Sequence, residues 1–212
     1  MIAQPITGAI LAGGRSRQGR TGAERALLPF GDVCLIERQI RVMRELCHEI
    51  IVVTDTPKPF LDVLDSSVRL ITDYYADAGP LGGMHAALRL AKYSQVWIVG
   101  CGMPLISAEA AARLAAFRTP EARSVLPLIG GRAVPLHGVY DKEHAETAGK
   151  LLAEGEVRID RFLGQIRWTG VETESWTKEE GIGDYAFVAR TELDLERACK
   201  RILHKTSTNG GA

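Results

Sequence analysis

Short apolar runs alternate with amphipathic stretches from the first residues of this chain. Ile6–Leu11 is a six-residue, largely apolar run and reads as a buried first strand. Leu35, Ile36, Ile40, Met43 and Cys47 then fall near helical spacing, with Glu37, Arg38, Arg41 and Arg44 between them, which predicts an amphipathic helix. Ile50–Val53 reads as a second buried strand, a short helix is expected after Pro57 or Pro59, and Val68–Thr72 reads as a third strand ending at Asp73. The segment from Asp73 begins as loop and runs into a helix over Gly83–Lys92. Gln95–Val99 reads as a further strand, followed by the loop Gly100–Pro104 and a helix Ala108–Phe117 capped by Ser107.

Beyond Phe117 the pattern is less regular. Ser124–Leu128 and Ala133–Tyr140 read as strands around the Gly130-Gly131 turn, with Pro127 and Pro135 placing parts of them at edges or bulges. Asp141–Ala153 reads as a helix ending at Gly155, Val157–Leu163 as a short helix and Ile166–Val171 as a strand. Residues 172–184 read as loop, and Asp194 is expected to cap a last helix, Leu195–His204. Short apolar strands alternating with helices predict an α/β fold of three layers, a mainly parallel sheet with helices on both faces. With neither repeat nor linker, residues 1–205 are expected to form one domain, followed by a frayed tail, 206–212.

Composition narrows the function. The 212 residues are 46% hydrophobic and 25% charged, enough for a sizeable core. Lys+Arg and Asp+Glu both number 26, so no bulk field favours nucleic acid or a membrane surface. Local basic charge then points to a small anionic ligand. The cysteines, Cys34, Cys47, Cys101 and Cys199, form no CxxC pair, which argues against a zinc knuckle and fits reduced thiols in the cytoplasm. No signal-peptide pattern and no membrane-spanning run is read in the chain.

The chemistry concentrates after the first strand, in Ile10-Leu11-Ala12-Gly13-Gly14-Arg15-Ser16-Arg17-Gln18-Gly19. Adjacent glycines let a ligand approach the backbone, and their N–H groups can face phosphate oxygens. Arg15, Arg17 and Arg20 supply positive charge nearby. The loop reads as a nucleotide-phosphate cradle, though it is neither GxGxxG nor GxxxxGKS. The plainer alternative is a glycine-rich turn with solvated arginines. Open α/β sheets bind ligands outside the carboxyl ends of their strands. Three unusual segments fall at such ends: the loop after Leu11, Asp73–Met84, and Cys101–Pro104. Cys101 and Trp97 read as packing residues, His85 as a helix-surface histidine, and Asp141 and Glu143 as charges supporting a helix N-terminus.

Together Thr7–Ser16, Ala26-Leu27-Leu28-Pro29-Phe30, Gly79–Met84, Met103-Pro104 and Pro135-Leu136 with Val139-Tyr140 resemble the molybdenum cofactor guanylyltransferases, a branch of the Rossmann-like nucleotidyltransferases. The resemblance implies transfer of GMP from GTP to molybdopterin with release of pyrophosphate. It implies that Leu11, Ala12, Gly13, Gly14 and Ser16, with Asp73, hold the nucleotide. The family's Asp-Lys pair falls on Glu24-Arg25, so Arg25 stands in for the phosphate-binding lysine, with Arg17 the other candidate catalytic cation. The family's Mg²⁺-binding Asp falls on Gly102, leaving Asp73 and Asp77 as fallback ligands, and a carboxylate restored by Gly102→Asp is expected to raise Mg²⁺ affinity. Val188-Ala189-Arg190-Thr191 takes the place of an Asn-rich segment. Three readings stay open: an active guanylyltransferase, a non-catalytic nucleotide- or pterin-binding member, and a nucleotidyltransferase of another specificity.

Overall fold

The computed structural model describes residues 4–15, 19–73, 75, 78–178 and 184–209. Its centre is an eight-stranded sheet built from β1 (Ile6–Leu11), β4 (Glu49–Thr54), β5 (Val68–Thr72), β6 (Gln95–Gly100), β7 (Ser124–Ile129), β8 (Arg132–Ala133), β9 (Gly138–Asp141) and β10 (Trp168–Glu172). Strand order is β10-β7-β9-β6-β1-β4-β5, with β8 paired to β7. β6, β1, β4 and β5 run parallel, as do β7 and β10, while β9 runs antiparallel to both β6 and β7. The mainly parallel α/β sheet follows from the sequence pattern. Strands buried on both faces read as largely apolar runs, and β1 and β6 are buried at every position.

Side chains alternate across this sheet into two cores. Ile10, Val52, Trp97 and Val99 face one side and pack with Ile36, Ile40 and Met43 of α2 (Leu35–Met43) and with Ala110, Ala111 and Leu114 of α4 (Ala108–Ala116). Ala9, Leu11, Ile51, Val53 and Ile98 face the other side. There they meet Leu81, Met84 and Leu88 of α3 (Gly79–Leu90), Ala148 and Leu152 of α5 (Ala145–Ala153) and Phe162 of α6 (Ile159–Leu163).

Several elements differ from the sequence reading. A five-residue helix, α1 (Gly22–Ala26), and a tight hairpin, β2 (Pro29–Phe30) with β3 (Val33–Cys34), fill a stretch whose period is too short to register. α3 starts at Gly79, not Gly83. Pro80 suits its first turn, and burial of Leu81 and Met84 overrides the low helix propensity of Gly82 and Gly83. The expected strand Ala133–Tyr140 is split between β8 and β9. Pro135 cannot donate to a ladder, and His137 has φ +89°. Asp141 ends β9 and caps a 3₁₀ turn before α5, accepting from the Glu143 N–H at 3.0 Å. The expected loop 172–184 contains α7 (Glu174–Lys178).

The last helix, α8, spans Glu192–Asn209, with neither Gly nor Pro to stop it before Gly210. Its cap is Thr191, whose hydroxyl accepts from the Asp194 N–H at 3.1 Å, while the Asp194 carboxylate accepts from the Thr191 and Arg190 N–H groups at 2.9 and 3.0 Å. Asp194 therefore completes a reciprocal capping pair from the third helical position. Among the described residues no helix is long and apolar enough to cross a membrane.

Candidate functional site

The carboxyl ends of β6, β1, β4 and β5 lie side by side, and each releases a loop onto the same edge of the sheet. Leu11 pairs with Gly100 on one side and Val53 on the other, and Thr54 pairs with Thr72. Continued past the strand ends, this register sets Gly13, Asp55 and Asp73 in a row, with the turn that carries Gly102 at its β6 end.

Gly13 and Gly14 turn out of β1, with Gly14 at φ +73°, a conformation that disfavours any side chain. The loop closes when the Gly22 N–H donates to the Gly14 carbonyl at 2.7 Å and Arg15 bridges Thr21. A Cβ at Gly22 would stand 2.2 Å from the Ala12 carbonyl oxygen, so only glycine lets α1 start this close to β1. Thr21 and Glu24 cap α1 reciprocally. The Glu24 N–H donates to the Thr21 hydroxyl at 3.1 Å, and the Glu24 carboxylate accepts from the Thr21 N–H at 2.6 Å. These bonds hold the Glu24 carboxyl below its ordinary range. The capping fixes Arg25 in the last turn of α1, with Nη1 3.7 Å from where a Cβ would stand on Gly102.

The turn after β6 is pinned from below and beside. Gln39 is fully buried on α2, and its Nε2 donates to the carbonyls of Gly100 and Met103, both at 2.9 Å. The His137 ring lies between Trp97 and Tyr185, and its Nε2 accepts from the Ser107 N–H at 3.1 Å, at the start of α4. Cys101 is buried in this turn, where desolvation raises its thiol pKa, consistent with a packing role. The turn is closed from above by residues 188–191, where the Ala189 N–H donates to the Gly102 carbonyl at 2.8 Å. Arg20, Arg25, Gly102, Ala189, Arg190 and Thr191 line a narrow cleft there.

At the other end of the row, the Asp55 carboxylate accepts from the Gly14 N–H at 3.1 Å. Asp73 accepts from the Tyr75 N–H at 3.1 Å and lies over the N-terminal turn of α3, where a Cβ on Gly82 would meet its Oδ2 at 2.6 Å. His85, one turn further along α3, is half-buried against Tyr75, and burial pushes its pKa down. The surface position expected from sequence is therefore replaced by a partly packed one.

Of the residues singled out from sequence, Leu11, Ala12, Gly13, Gly14, Arg25, Asp73 and Gly102 are placed along this edge; Ser16, Arg17 and Asp77 lie outside the described residues. Asp73 is three strand spacings from the Gly102 end, about 14 Å. Asp55, Gln39 and His137 were not read from sequence. Asp55 directly follows an apolar strand, a position that marks a site as well as Asp73 does. Gln39 and His137 carry no local signal, because only the fold brings them to the turn after β6.

A family model described as the MobA-like NTP transferase domain matches residues 8–168. A probable molybdenum cofactor guanylyltransferase of Pelotomaculum thermopropionicum is 32% identical, covering 96% of each chain. A probable molybdenum cofactor guanylyltransferase of Carboxydothermus hydrogenoformans is 30% identical, over 93% of this chain and 96% of its own. Among solved structures, molybdopterin-guanine dinucleotide biosynthesis protein A from Archaeoglobus fulgidus superposes with a TM-score of 0.74 at 21% identity, over 93% of this chain and 99% of that one. Sequence, fold and the loops at this sheet edge thus converge, and the chain belongs to the MobA-like NTP transferase family.

Proposed function

We propose that this protein is a molybdenum cofactor guanylyltransferase, transferring GMP from GTP to molybdopterin. The observation that carries the reading is the polarity of the row at the sheet edge. Guanidinium groups of Arg20 and Arg25 stand at the Gly102 end, the carboxylates of Asp55 and Asp73 at the other, and the Gly13-Gly14 loop between them. A nucleotide laid along this row places its phosphates on the arginines and its base on the carboxylates. Guanine presents N1–H and the N2 amino group side by side, two donors that one carboxylate can accept; adenine has no such pair. In the transfer, a phosphate oxygen of molybdopterin attacks the α-phosphorus of GTP. A new P–O bond forms, the bond to the β-phosphate oxygen breaks, and pyrophosphate departs with the electron pair. The side chains contribute position and charge rather than covalent chemistry.

Relatives of this kind use Mg²⁺, so the donors at the Gly102 end must be tested against it. Mg²⁺ needs oxygen ligands in near-octahedral array. Gly102 has no side-chain oxygen, and its carbonyl already accepts from Ala189. The nearest polar side-chain group is a guanidinium. Among the described residues no cluster of His, Cys, Asp or Glu could hold a metal ion. The donor set does not fit, and no step is routed through a metal. The four cysteines are free, which suits a cytoplasmic site of action.

A melting scan with GTP, ATP, CTP and GMP tests the reading. GTP at a hundred times its Kd should raise the melting temperature by roughly 5 °C or more, and Asp55→Ala should abolish the preference over ATP. No shift with any nucleotide would overturn it. Gly102 favours a second reading, a nucleotide-binding member without turnover, which predicts the same shift and no pyrophosphate release with GTP and molybdopterin.

A further inference from the structure

We propose that the cleft at Gly102 is a guanidinium-lined anion site, which binds the polyphosphate of a nucleoside triphosphate, or free pyrophosphate, without a divalent cation. The inference rests on the nucleotide-binding reading above and concerns how the phosphates are neutralised.

Three arginines from two parts of the chain meet at this cleft. Arg20 just precedes α1 and Arg25 lies in its last turn, while Arg190 comes from the segment that closes over Gly102. Arg20 pairs with Glu192 at 2.6 Å. Among the described residues, neither the Arg25 nor the Arg190 guanidinium has a carboxylate partner, and the Arg25 Nε is buried without a hydrogen-bond partner. A buried, unpaired guanidinium N–H is costly unless a ligand completes it. Glu192 is taken up by Arg20, and the Glu24 and Asp194 carboxylates are taken up by the backbone caps of α1 and α8, so the unpaired guanidinium groups of Arg25 and Arg190 are what the cleft offers to phosphate. Guanidinium groups also offer planar, two-pronged donation to phosphate oxygens, which a metal otherwise supplies by coordination. Free space inside the cleft is about 10 Å³, room for a water molecule, so the anion lies across its mouth.

The same geometry reverses one expectation from sequence. A carboxylate introduced by Gly102→Asp has its Cβ 3.7 Å from Arg25 Nη1, so it pairs with that guanidinium and competes with phosphate instead of recruiting metal.

Calorimetry with inorganic pyrophosphate and with GTP, in EDTA and in Mg²⁺, tests the proposal. Pyrophosphate should bind in EDTA with a Kd no more than about threefold weaker than in Mg²⁺. Arg25→Ala and Arg190→Ala should each weaken it about tenfold or more, the scale of a lost charged hydrogen bond. Gly102→Asp should weaken it in EDTA as well. Arg190 is exposed, so its variant keeps the test available if Arg25→Ala does not fold. Binding of both probes only in the presence of Mg²⁺, or affinity untouched by Arg190→Ala, overturns the anion site and leaves the nucleotide reading standing. If GTP binds under neither condition, the nucleotide reading itself fails.

Discussion

His137 has a φ of +89°, a conformation that costs a non-glycine residue roughly 1–3 kcal/mol. Its ring is fully buried against Trp97 and Tyr185. The turn after Pro135 is what aims the ring inward, so that Nε2 accepts from the Ser107 N–H and the turn after β6 is tied to α4. Accepting at Nε2 leaves the neutral ring's proton on Nδ1, and burial pushes the pKa down to about 3. In the unfolded chain the imidazole titrates near its ordinary 6.5. Between these values only the unfolded state binds the proton, so stability falls as pH drops below about 6.5. From pH 7 to pH 5 this one group should remove about 2 kcal/mol. His85 and His144 are also held down by burial, so the diagnostic is a difference between proteins. Urea unfolding at both pH values should show a steeper loss for the wild type than for His137→Gln. Equal losses would mean that His137 is not buried in its neutral form.

Helix α1 has only five residues, yet it sets the basic end of the site, because Arg25 sits in its last turn. Two features make so short a helix possible: the Thr21–Glu24 capping pair and the absence of a side chain at Gly22. Thr21→Ala should cost about 1 kcal/mol. Gly22→Ala should cost about 2–3 kcal/mol, since its Cβ would stand 2.2 Å from a backbone oxygen that cannot move without dragging β1. Urea titration ranks the two, and a Gly22→Ala chain as stable as wild type would show that α1 has slack the geometry denies. Helices of this length explain where the sequence could be read and where it could not. β1, β4 and β6 were plain because both their faces are buried and, after Glu49 and Gln95 at the starts of β4 and β6, every position is apolar or small. Five residues cannot display a period, so α1 was not read from sequence; the T-x-x-E spacing of Thr21 and Glu24 is the signal that could have found it. The split of Ala133–Tyr140 hung on the left-handed backbone of a histidine, which composition does not announce. The Gly13-Gly14 loop and Asp73 were legible as loops at strand ends. Gln39 reaches the site from a sequence-distant helix and only packing brings it there, while the 188–191 segment was singled out by resemblance alone.

At the scale of the molecule, the chain returns on itself after β10 and builds a third, smaller core. Leu195 and Ala198 of α8, with Ala189, pack on Phe30 and Leu35 beside the β2–β3 hairpin. This packing presses the 188–191 segment onto Gly102 and brings Arg190 to the cleft. The core on the α2 and α4 face also takes in Trp176 and Tyr185 from the returning chain, but neither main core uses a residue of α8. The C-terminal segment should then open as its own cooperative unit, at lower free energy than the sheet. Leu195, buried in that small core, is its anchor, and Leu195→Ala should cost about 2–4 kcal/mol. Hydrogen exchange reports where that loss falls. Amides of α8 and of 188–191 should exchange about tenfold or more faster, while those of β1, β4 and β6 keep their wild-type protection. Pyrophosphate affinity should drop with them, because Arg190 is held only as firmly as α8 is docked. Faster exchange spread evenly over the central sheet would show instead that α8 is part of the global folding unit, and that loosening it cannot tune the anion site separately from the fold.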